Sequence, residues 1–192
     1  MKQRLATGDV DYLVNNAGFA TLGEFANLPL ERELDELDLN IKALVSLTHC
    51  ALGPMIEKRR GTIINVASLG AFQPCPNMAT YVGTKAFVLH FTESVHEEAR
   101  RHGVTVTCLC PGFVPTEFQQ VSGVDLEETR AIGQLPPREI AAAAIKGAAA
   151  GRAIVIPGAI SGALSQTSRF LPRFLTRKIA GSFIKEAAPK GT

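Results

Sequence analysis

Short β-branched segments that alternate with long helical segments constrain the fold of this chain more than any other feature. Residues 62–66 and 104–109 are apolar, rich in Val, Ile and Thr, and too short for helices, as is typical of buried parallel strands. Between them, residues 79–102 predict a helix that ends at Gly103. Parallel neighbouring strands need such a crossover connection. The pattern therefore predicts an α/β fold with a doubly wound parallel sheet.

The rest of the chain continues this alternation. Residues 12–14 predict a short strand, and residues 29–58 predict a long helix with a kink at Gly53-Pro54. After a loop at 113–136, residues 137–151 predict an alanine-rich helix and residues 153–156 a last strand. A length of 192 residues suits a single domain, 1–192, with a sizeable core.

Tyr81 and Lys85 form the pair of residues with the clearest chemical implication. They lie four positions apart and therefore share one face of the predicted helix. A phenol has an ordinary pKa of about 10, and a nearby ammonium favours the phenolate, which would bring that pKa toward neutral pH. Ser68, which follows a predicted strand, could hold a substrate oxygen by a hydrogen bond. The three side chains suit proton transfer to or from an alcohol or carbonyl.

These three residues belong to a set of motifs that resembles the short-chain dehydrogenase/reductase family over almost the whole chain. The remaining motifs match that family in order and spacing: Asn15-Asn16-Ala17-Gly18, Asn40 within Leu39-Asn40-Ile41, and Pro111-Gly112 with Val114 and Thr116 following. The resemblance implies a Rossmann-type domain and an NAD(P)-dependent oxidoreductase. Such an enzyme transfers hydride between nicotinamide and a carbonyl or alcohol of a small, apolar substrate.

The resemblance also implies a role for each matched residue. Tyr81 would transfer the hydroxyl proton, and Lys85 would tune the pKa of Tyr81 and bind the nicotinamide ribose. Ser68 would orient the substrate oxygen, and Asn40 would support a proton relay. Alternatively, Asn40 marks a local helix kink, and Thr116 only caps a helix that begins at Glu117. Cofactor contacts are implied for Tyr81, Lys85, Asn16, Ala17, Gly18, Pro111, Gly112, Val114 and Thr116. The implied cofactor is NAD(P), with NADP(H) slightly ahead of NAD(H), and no metal ion.

One part of the family pattern does not occur in this sequence. Members open with a strand, a glycine-rich turn that binds the pyrophosphate and a helix, whereas no glycine-rich turn precedes Gly18 here. The resemblance therefore implies that the first three strands are missing. A catalytically inactive scaffold and a misassigned start of a longer enzyme are the alternatives to an active oxidoreductase. We expect the strand at residues 12–14 to have an unpaired outer edge, and the chain to aggregate or remain partly folded and to bind NAD(P) too weakly to measure.

Composition excludes several other classes of function. A formal net charge of +2 without a long basic run argues against a nucleic-acid binder. Four cysteines without zinc spacing predict buried thiols and a reducing cytoplasmic compartment. Phe113, Phe118 and Val121 in the long loop indicate an apolar ligand, and the family resemblance implies a homo-oligomer.

The C-terminal segment differs in character from the rest of the chain. From Arg169 onward it contains six basic residues and one acidic residue, and apolar residues recur at helical spacing. We expect an amphipathic basic helix at 168–186. It could pack over the domain or at a subunit interface, make peripheral contact with a membrane, or bind a specific partner.

Overall fold

Four parallel strands form the sheet in the part of the chain that the structure describes. The computed structural model describes residue 5 and residues 10–114 and 134–187, the side chains of 167–169 and 182–187 excepted. The strands lie in the spatial order β1-β2-β3-β4 and pair in parallel throughout: β1 (Tyr12–Asn15), β2 (Gly61–Val66), β3 (Val104–Leu109) and β4 (Ile154–Val155). The predicted α/β parallel sheet is confirmed.

Helices lie on both faces of the sheet. They are α1 (Leu30–Leu37), α2 (Leu44–Glu57), α3 (Ala79–Arg100), α4 (Pro137–Ala149), α5 (Ala159–Phe170) and α6 (Arg173–Ala187). Successive residues of a strand point to opposite faces. Accordingly, Ile63 of β2 packs with residues of α2 and α3, whereas Ile64 packs with residues of α4. This two-sided burial explains why β2 is apolar at successive positions rather than at alternate ones.

The predicted helix at 29–58 has its irregularity at a different position from the one expected. A π-helical turn at Asp38–Ala43 separates α1 from α2, and Pro54 lies inside α2, which continues to Glu57. Such turns are rare and frequently occur at functional sites. By length and composition alone the stretch Leu30–Glu57 could cross a membrane, a test that core helices of soluble proteins also pass. In this fold α2, the second part of the stretch, packs against the sheet through Ala51 and Met55.

The C-terminal segment forms two helices rather than the single helix expected at 168–186. α5 ends at Phe170, and α6 begins at Arg173 after Leu171-Pro172. Proline has no backbone N–H and disfavours helical geometry in the residue before it, so Pro172 interrupts the helix and permits a new one to begin.

Strand β1 is an edge strand within the described part of the chain. It pairs with β2 alone, and its apolar Tyr12 and Val14 side chains are exposed. An apolar edge strand offers unpaired backbone groups and apolar surface to another chain.

We expect Val14→Lys to shift the protein toward the monomer, because two charged edges repel each other when they approach. Sedimentation velocity over a range of concentrations measures this shift. Phe25→Lys is the matched control, since Phe25 is exposed in a 3₁₀ turn away from the sheet. Equal association of the Val14→Lys variant and the parent would contradict association through this edge.

Candidate functional site

The candidate site lies at the carboxyl edge of the sheet. The loop after β1 begins at Asn16, Ser68 follows β2, and Pro111 follows β3. Ligands of open α/β sheets bind outside the carboxyl ends of the strands. Helix α3 starts beside this edge and brings Tyr81 and Lys85 to it in its first two turns.

Ser68 and Tyr81 are joined by a side-chain hydrogen bond. Ser68 is held in place by the local backbone, because its Oγ accepts a hydrogen bond from Gly70 N at 3.1 Å and caps the 3₁₀ turn Leu69–Phe72. Burial raises the pKa of Tyr81 to about 12, the Ser68 hydrogen bond opposes that rise, and the Glu36 charge adds to it. The phenol therefore keeps its proton at neutral pH and is suited to donate it.

Lys85 is buried beneath this pair. It is 5% exposed, its Nζ donates to the Val66 carbonyl oxygen at 2.9 Å, and it lies 5.6 Å from the centroid of the Tyr81 ring. Burial lowers the pKa of Lys85 to about 8, although the Glu36 charge opposes that shift. The expectation that the pKa of Tyr81 lies closer to neutral pH than that of a free phenol was wrong for this arrangement. Burial of the Tyr81 hydroxyl outweighs any effect of the ammonium.

Asn40 connects the loop after β1 to helix α3 through side-chain hydrogen bonds. Its Nδ2 donates to the Phe19 carbonyl oxygen at 2.9 Å, and its Oδ1 accepts from Phe19 N at 3.2 Å. The same Nδ2 donates to Thr84 Oγ1 of α3 at 3.1 Å. The Asn40 side chain is buried, and the π-helical turn contains it. The helix irregularity that was the alternative interpretation of Asn40 is present, and its role in a proton relay stays a prediction.

Gly18 lies between Asn40 and Lys85. A Cβ at Gly18 would lie 2.8 Å from Asn40 Oδ1 and 3.5 Å from Lys85 Nζ. The Asn40 amide cannot easily yield, because both of its ends are hydrogen-bonded. A residue without a side chain is therefore required here. The other two predicted residues of this loop, Asn16 and Ala17, are exposed.

Glu36 is a site-adjacent residue that the sequence interpretation missed. Its side chain is fully buried, and its Oε2 accepts hydrogen bonds from Thr21 N and Thr21 Oγ1, each at 2.9 Å. Asn40 Nδ2 lies 3.5 Å from Glu36 Oε1. Burial raises the pKa of Glu36 to about 7. The available signal was its position four residues before Asn40, which places the two on one helix face.

Glu36→Gln is expected to flatten the pH dependence of stability between about pH 4.5 and 7. The parent's Glu36 has a pKa near 7 when folded against 4.5 as its ordinary value. The contribution of protonated Glu36 to the free energy of unfolding is therefore complete below pH 4.5. It is lost as the pH rises through 7, which lowers the free energy of unfolding by up to about 3 kcal/mol. Urea unfolding at several pH values measures the decline. Exposed Glu31→Gln is the control on the same helix, and an unchanged slope in Glu36→Gln would contradict the assignment.

Buried side-chain amides and hydroxyls form a hydrogen-bonded network that connects the elements around the site. Asn15 Nδ2 donates to Asn65 Oδ1 at 2.8 Å and to Thr48 Oγ1 at 3.1 Å, and Asn65 Nδ2 donates to Thr92 Oγ1 at 3.0 Å. The network links β1, β2, α2 and α3. The sequence signal for it was Asn65, a polar residue inside an otherwise apolar strand.

The residues that follow β3 form the remaining part of the site. Pro111, Gly112 and Val114 are each partly buried, and a Cβ at Gly112 would lie 2.9 Å from Ser161 Oγ of α5. Ser161 was not predicted, because nothing in the sequence brings the last helices back to this edge. Thr116, Phe118 and Val121 lie outside the described residues. The predicted cofactor contact of Thr116 therefore stays a prediction.

The cysteines and acids of the described residues form no group of three that could hold a metal ion. Cys108 and Cys110 are buried free thiols with their Sγ atoms 3.7 Å apart, as the alternation on β3 predicts.

The residues present fit the nicotinamide and ribose portion of a dinucleotide. An ammonium carries three donors, of which Lys85 Nζ directs one to Val66, so further acceptors such as ribose hydroxyls can be bound. Gly18 and Gly112 let the backbone pass close to Lys85 and to Ser161, at the ends of β1 and β3. Lys85 Nζ lies 5.6 Å from the centroid of the Tyr81 ring.

The chain is similar to known short-chain dehydrogenases and reductases. A family model described as short chain dehydrogenase matches residues 1–126. The chain is 37% identical over 119 residues to a very-long-chain 3-oxoacyl-CoA reductase of Laccaria bicolor, covering 61% of this chain and 35% of the relative. It is 35% identical over 142 residues to a 3-oxoacyl-(acyl-carrier-protein) reductase of Vibrio cholerae, covering 71% of this chain and 58% of the relative.

A solved structure resembles the fold as well. A short-chain dehydrogenase from Sphingobium yanoikuyae in complex with NADPH superposes with a TM-score of 0.75 and 26% identity, covering 90% of this chain and 70% of that one. The chain thus spans between about a third and three fifths of the length of the two curated relatives.

Proposed function

Because the chain belongs to the short-chain dehydrogenase family, we propose that it carries the catalytic site of an NAD(P)-dependent oxidoreductase acting on a carbonyl or alcohol. The observation that carries the proposal is the arrangement around Tyr81. Its hydroxyl is hydrogen-bonded to Ser68, and the ammonium of the buried Lys85 lies 5.6 Å from the centroid of its ring. The three groups suit general acid catalysis at one oxygen atom.

In the direction of carbonyl reduction, Ser68 donates a hydrogen bond that orients the substrate oxygen. Tyr81 Oη donates its proton to that oxygen, because its raised pKa keeps it protonated at neutral pH. The Lys85 ammonium, which is charged below about pH 8, then stabilises the phenolate that Tyr81 becomes. Nicotinamide, when bound, supplies the hydride. Asn40 keeps the loop at residues 16–19 in place through its contacts with Phe19.

We propose 3-oxoacyl thioesters as the substrate class to test first. Both relatives described above carry the name of a 3-oxoacyl reductase. Phe113, which is exposed just beyond Pro111-Gly112, supports an apolar ligand. NADP(H) is the proposed cofactor, because the S. yanoikuyae structure contains NADPH. A homo-oligomer in a reducing cytoplasmic compartment is part of the same proposal, and the free cysteines suit that compartment.

The test combines binding with turnover. NADPH and NADH fluorescence is titrated with the purified chain, and NADPH consumption is followed with an acetoacetyl thioester and with a steroid ketone. Because no glycine-rich turn precedes Gly18, we expect NADPH binding and thioester-dependent consumption to be very weak for this chain and to become strong when a segment with such a turn is joined before Met1. An absence of both binding and consumption in the extended protein would contradict the proposal and favour the non-catalytic scaffold.

A further inference from the structure

The outer side of the last helices combines exposed aromatic and basic side chains. Phe170 at the end of α5 is 82% exposed and Phe174 on α6 is 58% exposed. Arg173, Arg177 and Lys178 are also exposed. We call these five residues the C-terminal surface. Phe174, Arg177 and Lys178 lie three and four positions apart and therefore on neighbouring parts of the helix.

The opposite side of α6 is docked on the protein. Thr176 and Ala180 are buried, and the Ala180 carbonyl oxygen accepts a hydrogen bond from Cys75 Sγ at 3.7 Å. A Cβ at Gly181 would lie 3.1 Å from Pro76. Among the described side chains of α6, the buried ones are small, whereas Phe174 is exposed.

The stretch of sequence that contains this surface has charges of a single sign. No Asp or Glu occurs between Glu139 and Glu186, so all charged residues between these two positions are basic. Basic side chains interleaved with exposed aromatic ones are typical of helices that lie in the interface of an anionic membrane. A nucleic-acid partner is less well matched, because the whole chain has a formal net charge of only +2.

We propose that the C-terminal surface binds the surface of a membrane that contains anionic lipid. Phe170 and Phe174 insert among the headgroups, and Arg173, Arg177 and Lys178 contact lipid phosphates. This inference does not rest on the proposed oxidoreductase activity.

Membrane contact at this surface has a consequence for the candidate site. α6 is docked on Cys75 and Pro76, in the loop that leads to Tyr81, and α5 packs against the 3₁₀ turn that follows Ser68. A chain attached through α6 therefore holds the carboxyl edge of its sheet close to the lipid, where apolar carbonyl compounds are concentrated.

Vesicle flotation of the full chain tests the proposal, since aggregated protein does not float and is not counted as bound. We expect flotation with phosphatidylcholine vesicles containing phosphatidylserine, and much less with phosphatidylcholine alone. Arg177→Gln with Lys178→Gln is expected to weaken the partition about 25-fold, at about fivefold for each basic side chain. Phe174→Ser is expected to weaken it roughly tenfold.

Two variants serve as matched controls. Arg138→Gln with Lys146→Gln removes the same charge from exposed positions of α4, and Phe25→Ser removes a phenylalanine that is 59% exposed, close to the exposure of Phe174. Both controls are expected to float like the parent. Equal flotation with neutral and anionic vesicles, or unchanged flotation of Phe174→Ser, would overturn the proposal. So would a Phe174→Ser variant that dissociates a dimer of the parent in sedimentation velocity, because a second copy of the chain would then cover the surface.

Discussion

Tyr81→Phe is expected to lower the rate of NADPH-dependent carbonyl reduction by roughly 10²- to 10⁴-fold, the usual contribution of general acid catalysis. The substitution removes the proton that the Tyr81 hydroxyl donates and keeps the ring, so the packing of α3 is preserved. Burial raises the pKa of this phenol to about 12, which means that the acid form is fully populated over the whole neutral range. The measurement is the initial rate with an acetoacetyl thioester.

The sequence supplies its own control for this variant, because it contains two tyrosines. Tyr12→Phe changes an exposed tyrosine on the edge strand β1 and is expected to leave the rate unchanged. Circular dichroism and urea unfolding of both variants separate chemistry from folding. If Tyr81→Phe kept the parent's rate, another group would have to supply the proton, and the assignment of Tyr81 would be wrong.

The sheet could be predicted from sequence because its signals are local. Residues 62–66 and 104–109 are β-branched runs bounded by Gly61, Gly103 and Pro111, and their bounds match β2 and β3 within one residue. The spacing of Tyr81 and Lys85 is equally local, since both lie on one helix. Such patterns need no knowledge of the remote parts of the chain.

The environment of the site could not be predicted in the same way, because it depends on contacts between distant segments. From the sequence alone, Glu36 is expected to be a solvent-exposed charge on a helix. In the structure the loop at Thr21 and helix α3 bury it. The direction of the Tyr81 pKa shift was misjudged for a related reason. The sequence shows that Lys85 is near Tyr81, but it does not show how far the fold buries the two groups. Ser161 meets Gly112 only because α5 returns to the carboxyl edge.

Lys85→Met is expected to change activity and stability in opposite directions. The variant should lose roughly 10²-fold or more in the rate of carbonyl reduction, because no charge remains to stabilise the Tyr81 phenolate. At pH 7 it should nevertheless be as stable as the parent or more stable, by up to about 3 kcal/mol, because it no longer buries a charge whose pKa falls from 10.5 to about 8 on folding. The lost hydrogen bond to the Val66 carbonyl oxygen offsets part of that gain.

The pH dependence of the two proteins separates this account from a merely structural role for Lys85. Below pH 8 the parent's lysine is charged both folded and unfolded. Between about 8 and 10.5 only the unfolded chain retains the proton, so the parent's stability rises with pH, whereas that of Lys85→Met does not. The parent's rate should fall through about pH 8 as the ammonium is lost, and the low rate of the variant should be flat there. Lys42→Met, at an exposed position paired with Asp38, should change neither profile. A variant that loses stability at pH 7 and keeps the alkaline fall in rate would show that Lys85 acts only through packing.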